Sequence, residues 1–125
     1  MKKLFALFML AFATSVFADS LPANTQKTDI LKSVLVTGAG SSYIFPKEKP
    51  HRYAQAFLGG GSPTSATVKV QCSDNETNWT DAATITLSTA APTDGAALQT
   101  VCPFMRGNVT AIAGTTPSVT LSISQ

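Results

Sequence analysis

The stretch ATVKVQCSDNETNWTDAATITL, residues 66–87, contains two alternating segments on either side of a polar loop. Before the loop, Ala66, Val68 and Val70 alternate with polar residues, and after it the same period of two returns over residues 83–87. A period of two with many Val and Thr residues is typical of strands that have one buried face and one wet face. The stretch therefore predicts a β-hairpin whose loop carries Asp74 and Glu76.

Further strands are predicted along the rest of the chain. Alternating or β-rich segments lie at residues 30–37, 42–45, 53–58, 79–87, 105–112 and 119–123. Turn-forming residues separate them at 38–40, 59–63, 92–95 and 114–117. Roughly seven short strands without a helical segment predict an all-β fold, a single antiparallel β-sandwich of Ig-like or jelly-roll type. An open barrel is the alternative.

The first 18 residues have the pattern of a cleavable secretory signal peptide. Lys2 and Lys3 precede a mostly apolar run, and Val16 and Ala18 are the small residues of a cleavage site. A buried N-terminal helix is the alternative. Cleavage after Ala18 leaves a flexible polar segment, residues 19–29, before the β-sandwich domain, residues 30–125. The mature protein is then expected in the periplasm or outside the cell.

Charge and hydropathy argue against two classes of partner. The sequence has nine Lys and Arg against seven Asp and Glu, and removal of Lys2 and Lys3 with the signal peptide leaves seven of each. A net charge near zero gives no electrostatic basis for binding nucleic acid or an anionic membrane. No segment after residue 18 has the apolar length of a membrane span.

The two cysteines are predicted to form a disulfide. Cys72 and Cys102 are the only cysteines in the sequence, and an exported chain meets an oxidising compartment. Cys72 continues the inward-facing row of Val68 and Val70, which suits a bridge inside the domain. Two free buried thiols are the alternative.

Few residues suggest catalysis, and no catalytic, cofactor or metal site is predicted. His51 is the only histidine, and it lies in a charged loop where a solvated imidazole is expected. Asp74, Glu76 and Asn78 alternate as calcium ligands do, but the glycine of a calcium loop and its later bidentate glutamate are missing.

Trp79 has two interpretations. Its register with Ala83 and Ile85 places it on the inward face, so it is predicted to be a core anchor. In the alternative, the protein is a secreted carbohydrate-binding module. Its ligand contacts would then be Trp79, Tyr43, Tyr53, Asp74 and Glu76, with Phe104 as a further aromatic residue.

Several segments occur in an order that is known from one group of proteins. They are Val68 to Gln71, Ser73 to Trp79, Ala83 to Leu87, Asp94-Gly95 and Arg106 to Ile112. This order resembles small β-sandwich structural proteins of tailed bacteriophages and prophages, among them virion and head-decoration proteins. In that group a glycine commonly stands where this sequence has Cys72, and an Asp-Gly turn stands where it has Asn75-Glu76.

The resemblance implies a non-catalytic structural protein. Such a protein acts by packing against protein partners, in a capsid or by self-assembly, and a phage-encoded copy would be located in the virion. The secreted carbohydrate-binding module stays open as the alternative function.

Overall fold

The computed structural model describes residues 26–125, and over this range the chain forms strands and no helix. The seven strands are β1 (Lys27–Val34), β2 (Gly38–Ala39), β3 (Tyr43–Ile44), β4 (Arg52–Ser73), β5 (Thr80–Ser88), β6 (Thr93–Leu98) and β7 (Phe104–Ser124). Residues 26–125 accordingly contain no helix that is long and apolar enough to cross a membrane.

All seven strands belong to one open antiparallel sheet, built on two very long strands. β4 has 22 residues and β7 has 21, and they pair from Tyr53–Ser124 at one end to Ser73–Phe104 at the other. β1 and β6 flank one half of this ribbon, while β2, β3 and β5 flank the other half. These are called the first half and the second half of the sheet below.

The two halves meet at a bend where a glycine of each long strand faces a proline of the other. Gly60 pairs with Pro117, and Gly114 pairs with Pro63. The φ angles of Gly60 and Gly114 are 106° and 120°, a region that residues with a Cβ rarely adopt. A Cβ at Gly60 would lie 2.1 Å from the carbonyl oxygen of Thr116, so the close approach of the two strands also requires glycine.

The predicted turns at 59–63 and 114–117 are therefore wrong. Both segments continue as strand, with a register shift between Pro63 and Ser65, and the ribbon changes direction without ending. The turn predicted at 92–95 is also wrong in part, because β6 begins at Thr93 and pairs with the start of β4.

The core lies on the inward faces of both halves. Its largest fully buried side chains are Ile85, Leu87, Met105, Leu121, Ile123, Val68, Val70, Val109 and Val119. A Cβ at Gly107, in the second half, would lie 2.6 Å from Cγ of Leu31 and 2.9 Å from Cδ2 of Leu121, both in the first half. The inward faces of the two halves thus contact each other within one hydrogen-bonded sheet.

The prediction of an all-β antiparallel fold is confirmed. β1 begins at Lys27, three residues before the predicted domain start at residue 30, because Lys27 and Thr28 pair with Ser124 and Ile123. The predicted signal peptide, residues 1–18, and most of the predicted flexible segment, residues 19–29, lie outside the described residues.

Candidate interaction surfaces

The two cysteines lie close together at one end of the sheet. Their Cα atoms are 5.9 Å apart, and both side chains are buried. Cys72 ends the inward row of β4, and Cys102 lies in the segment between β6 and β7. The pair is at disulfide distance, and a bond between them fastens the 99–103 segment to the end of β4.

The 73–78 loop is organised by its own polar side chains. Oδ1 of Asn75 accepts hydrogen bonds from the backbone N–H groups of Thr77 (3.0 Å) and Asn78 (2.9 Å). Glu76 takes a left-handed φ of 59° at the turn, a conformation that glycine adopts at less cost. Its carboxylate accepts a hydrogen bond from Ser42 Oγ at 2.5 Å, whereas Asp74 is exposed to solvent. No group of three or more metal-ligating residues occurs within residues 26–125.

Trp79 is not a core anchor, and a β-bulge is the reason. β4 and β5 shift register between Val70 and Gln71, so Gln71 pairs with Asp81 while Val70 pairs with Ala83. One extra residue in β5 moves every side chain before it to the opposite face. Trp79 is therefore half-buried on the outer face of the second half, outside the core cluster.

On that outer face Trp79 contacts a cation. The guanidinium carbon of Arg106 lies 4.3 Å from the centroid of the Trp79 ring, and the indole Nε1 donates to the carbonyl of Glu76 at 3.1 Å. The guanidinium of Arg106 stacks on one face of the indole ring, and the hydrogen bond gives the indole N–H an acceptor. Trp79 thus holds the loop against the sheet and leaves little of its ring for a ligand.

Hydrogen bonds extend from Arg106 across three strands. Arg106 Nε donates to Gln71 Oε1, and Gln71 Nε2 donates to Asp81 Oδ1, both at 2.9 Å. The second oxygen of Asp81 pairs with Lys69. Hydrogen bonds from Lys69 and then Gln71 lower the pKa of Asp81 below its ordinary value. Trp79, Arg106, Gln71, Asp81 and Lys69 are called the polar network below.

The outer face of the first half is different, because two aromatic side chains are exposed on it. Tyr53 is 46% exposed and Phe57 is 52% exposed, on outward positions of β4 that alternate with buried Ala54 and Ala56. This aromatic face, Tyr53 and Phe57, includes a residue that the sequence interpretation missed. The alternation of residues 53–58 with Ala54, Ala56 and Leu58 was the available signal for Phe57.

Glycines beneath both rings fix how they lie. A Cβ at Gly95 on β6 would be 2.4 Å from Tyr53 Oη, and a Cβ at Gly59 would be 2.7 Å from Cε1 of Phe57. Each ring therefore extends across the backbone of a glycine. A ring that lies against the sheet in this way presents its other side to solvent.

An open groove continues from Tyr53 along the end of the first half. Its volume is about 670 Å³, and its lining includes His51, Tyr53, Ala97, Gln99, Val101 and Gln125. Val101 is itself 43% exposed. A smaller groove of about 270 Å³ lies on the other side of the 99–103 segment, between the cysteine pair and the 73–78 loop.

The predicted ligand-contact residues do not form one site. Trp79 and Glu76 lie on the second half, joined to each other by a hydrogen bond, and Asp74 lies in the same loop. Tyr43 packs against the core, whereas Tyr53 lies on the outer face of the first half.

The crystal structure of the SPBc2 prophage-derived protein YomS has a similar fold. It matches this chain with a TM-score of 0.52 and 12% sequence identity, over 80% of this chain and 91% of that chain. No protein-family model and no curated protein matches the sequence. At this identity the match shows a shared fold.

Proposed function

We propose that the protein is a non-catalytic structural protein that packs against protein partners on a larger assembly of the phage type. The observation that carries the proposal is the aromatic face. Tyr53 and Phe57 are large, half-exposed and held on the long strand β4, as expected of anchors at a protein interface. The fold shared with a prophage-derived protein, and the sequence resemblance to virion and head-decoration proteins, support the same class.

The proposal also covers the fold type, the export and the disulfide of this structural protein. The domain is a single antiparallel β-sandwich of Ig-like or jelly-roll type, it is exported after removal of residues 1–18, and it carries a Cys72–Cys102 disulfide. It has neither enzymatic activity nor a cofactor, and a phage-encoded copy ends in the virion.

Analysis of purified particles tests the proposal. Particles induced from the strain that carries the gene are separated on a density gradient, and quantitative mass spectrometry counts the protein per particle. We expect many copies per particle, and a co-exported periplasmic protein serves as the contamination control. Recovery of the protein only from the periplasm or medium would contradict a virion role.

A matched pair of variants locates the contact. Phe57→Ser removes an exposed anchor, whereas Thr86→Ser changes an exposed outer position of the second half. We expect loss of incorporation for Phe57→Ser and normal incorporation for Thr86→Ser.

The secreted carbohydrate-binding module remains the second candidate. The favouring observation is the Tyr53 groove, because an exposed aromatic ring beside amide side chains suits a sugar.

A further inference from the structure

Arg52 is a buried cation with no acidic partner among residues 26–125. It is 3% exposed, and its terminal nitrogens donate to the carbonyl oxygens of Cys102 and Pro46, both at 2.9 Å. Its ring contact with Phe45 is also uncharged. The ion pair between Lys69 and Asp81 does not involve Arg52. Burial lowers the pKa of Arg52, but a guanidinium stays charged in proteins.

Two polar atoms without a partner lie at the same groove. Within the described residues, the buried side-chain atoms that lack a hydrogen bond are Arg52 Nε and Gln125 Oε1, and both residues line the groove that begins at Tyr53. Buried polar atoms are otherwise nearly always satisfied, so two at one place indicate a missing partner. The amide nitrogen of Gln125 donates to Oε1 of Gln26, so it is the Gln125 oxygen that lacks a partner.

The side chains that line the groove include one permanent cation, Arg52. None of its described lining residues is acidic, while Arg52 lies beneath it and His51 lies along it. A cation under a partly apolar surface focuses its potential into the cleft above, which favours a negatively charged group there. The same groove has the exposed side of the Tyr53 ring as one wall.

We propose that this groove binds an acidic saccharide, with a sugar ring stacked on Tyr53 and a carboxylate placed over Arg52. The apolar C–H face of a sugar matches the aromatic ring, and its hydroxyl groups both donate and accept, as the amides of Gln99 and Gln125 require. The open shape and volume suit a short oligosaccharide. The inference rests on the second candidate function, the carbohydrate-binding module, and shares Tyr53 with the structural role proposed above.

Calorimetric titration with matched probes tests the site. The probes are a galacturonic acid trimer and its methyl ester, which has the same sugar rings without the charge, with glucuronate and sialic acid oligosaccharides as further acidic probes. We expect the acid to bind at least about tenfold more tightly than the ester, because hydrogen bonds to charged groups are the stronger ones. Binding of the acid should weaken as salt is raised.

Variants separate the site from the rest of the face. Tyr53→Ala should weaken binding about three- to tenfold, and Phe57→Ala, which changes the neighbouring exposed ring outside the groove, should leave it unchanged. Arg52→Gln should abolish the preference for acid over ester. If that variant fails to fold, His51→Glu places an anion on the exposed lining and should abolish binding.

Several outcomes would overturn the proposal. These are no binding of any acidic probe, equal binding of acid and ester, or an unchanged affinity of Tyr53→Ala. A glutamate oligopeptide that binds as tightly as the saccharide would also overturn it, since the groove would then recognise any carboxylate.

Discussion

The two outer faces of the sheet are built on the same pair of long strands, yet the aromatic ring is covered on one face and the aromatic rings are exposed on the other. On the second half, Trp79 is covered by Arg106, and the polar network satisfies its own hydrogen bonds. On the first half, Tyr53 and Phe57 extend over glycines and are about half exposed. The tryptophan is thus held by contacts within the protein, and the surface proposed for partners is the one without a tryptophan.

The bend lies between these two faces. A substitution that disrupts it should lower the free energy of unfolding more than any other change considered below. Gly60→Ala would place a Cβ against a backbone carbonyl at a φ of 106°, so we expect a loss of about 3 kcal/mol or more in the free energy of unfolding. Gly61→Ala is the control, because its Cβ would crowd the side-chain hydroxyl of Thr116, which can rotate, and would meet the nearest backbone atom at an ordinary 3.5 Å. Equal urea midpoints for the two variants would show that the bend does not depend on Gly60.

The cysteine pair joins the groove side of the molecule to the end of β4. A bond across a sequence separation of 30 restricts the unfolded chain, so Cys72→Ser should lower the free energy of unfolding by about 3–4 kcal/mol. Mass analysis of the alkylated, non-reduced protein checks the bond first. Two alkylated thiols in protein prepared from an oxidising compartment would contradict it.

The stability of Trp79→Ala tests whether Trp79 lies on the outer face or in the core. A core tryptophan would lose about 3–5 kcal/mol on truncation. For a half-buried ring under Arg106 we expect about 1–2 kcal/mol, from the lost stacking and the smaller buried area. Unfolding in urea is followed by circular dichroism, because the variant has no tryptophan whose fluorescence could report it. A loss of about 3–5 kcal/mol in the free energy of unfolding would show that Trp79 is a core residue.

Sequence periodicity was sufficient for much of the fold but not for these distinctions. The alternation of Ala66, Val68 and Val70 indicated which residues of β4 face inward, and the cysteine pairing was predicted from the expected export and the register of Cys72. The bend was missed because Gly and Pro have the same pattern in a turn and in a continuing ribbon that changes direction.

Two further errors have equally local causes. The bulge near Ala82 has no signal in a run of small residues, yet it decides the face of Trp79. β6 was missed because Asp94, Gly95 and Ala96 are poor strand formers, and pairing with β4 overrides that preference. The Tyr53 groove depends on segments distant in sequence, so no local pattern could predict it.

The aromatic face should contribute little to stability. Phe57→Ser removes a half-exposed ring from an outward position, so the expected change is within about 0.5 kcal/mol. Incorporation into particles should fall nonetheless. A large shift of the urea midpoint would show that Phe57 supports the fold, and the contrast between the two faces would then disappear.

The smallest expected effect is the response of the polar network to acid. Hydrogen bonds from Lys69 and Gln71 lower the pKa of Asp81 in the folded protein below the ordinary value of 3.8. The stabilisation is therefore present at pH values above that ordinary value and is lost as the pH falls through the lower folded pKa. Asp81 is exposed, so solvent screens the pair and the change in stability should be slight.

Comparison of the parent with Asp81→Asn isolates this contribution. The asparagine keeps the shape and can still accept a hydrogen bond from Gln71, but it has no charge for Lys69 and no proton to gain in this range. The difference in urea midpoint between the two proteins should shrink as the pH is lowered from neutral to about 2, below the ordinary carboxyl pKa. Tyr53→Ala, on the other face, should show a difference from the parent that is independent of pH over the same interval. An Asp81→Asn difference that stays constant would mean that the network is held by neutral hydrogen bonds alone. The polar network would still satisfy its own hydrogen bonds. The charge of Asp81 would then contribute nothing to the stability of the outer face of the second half.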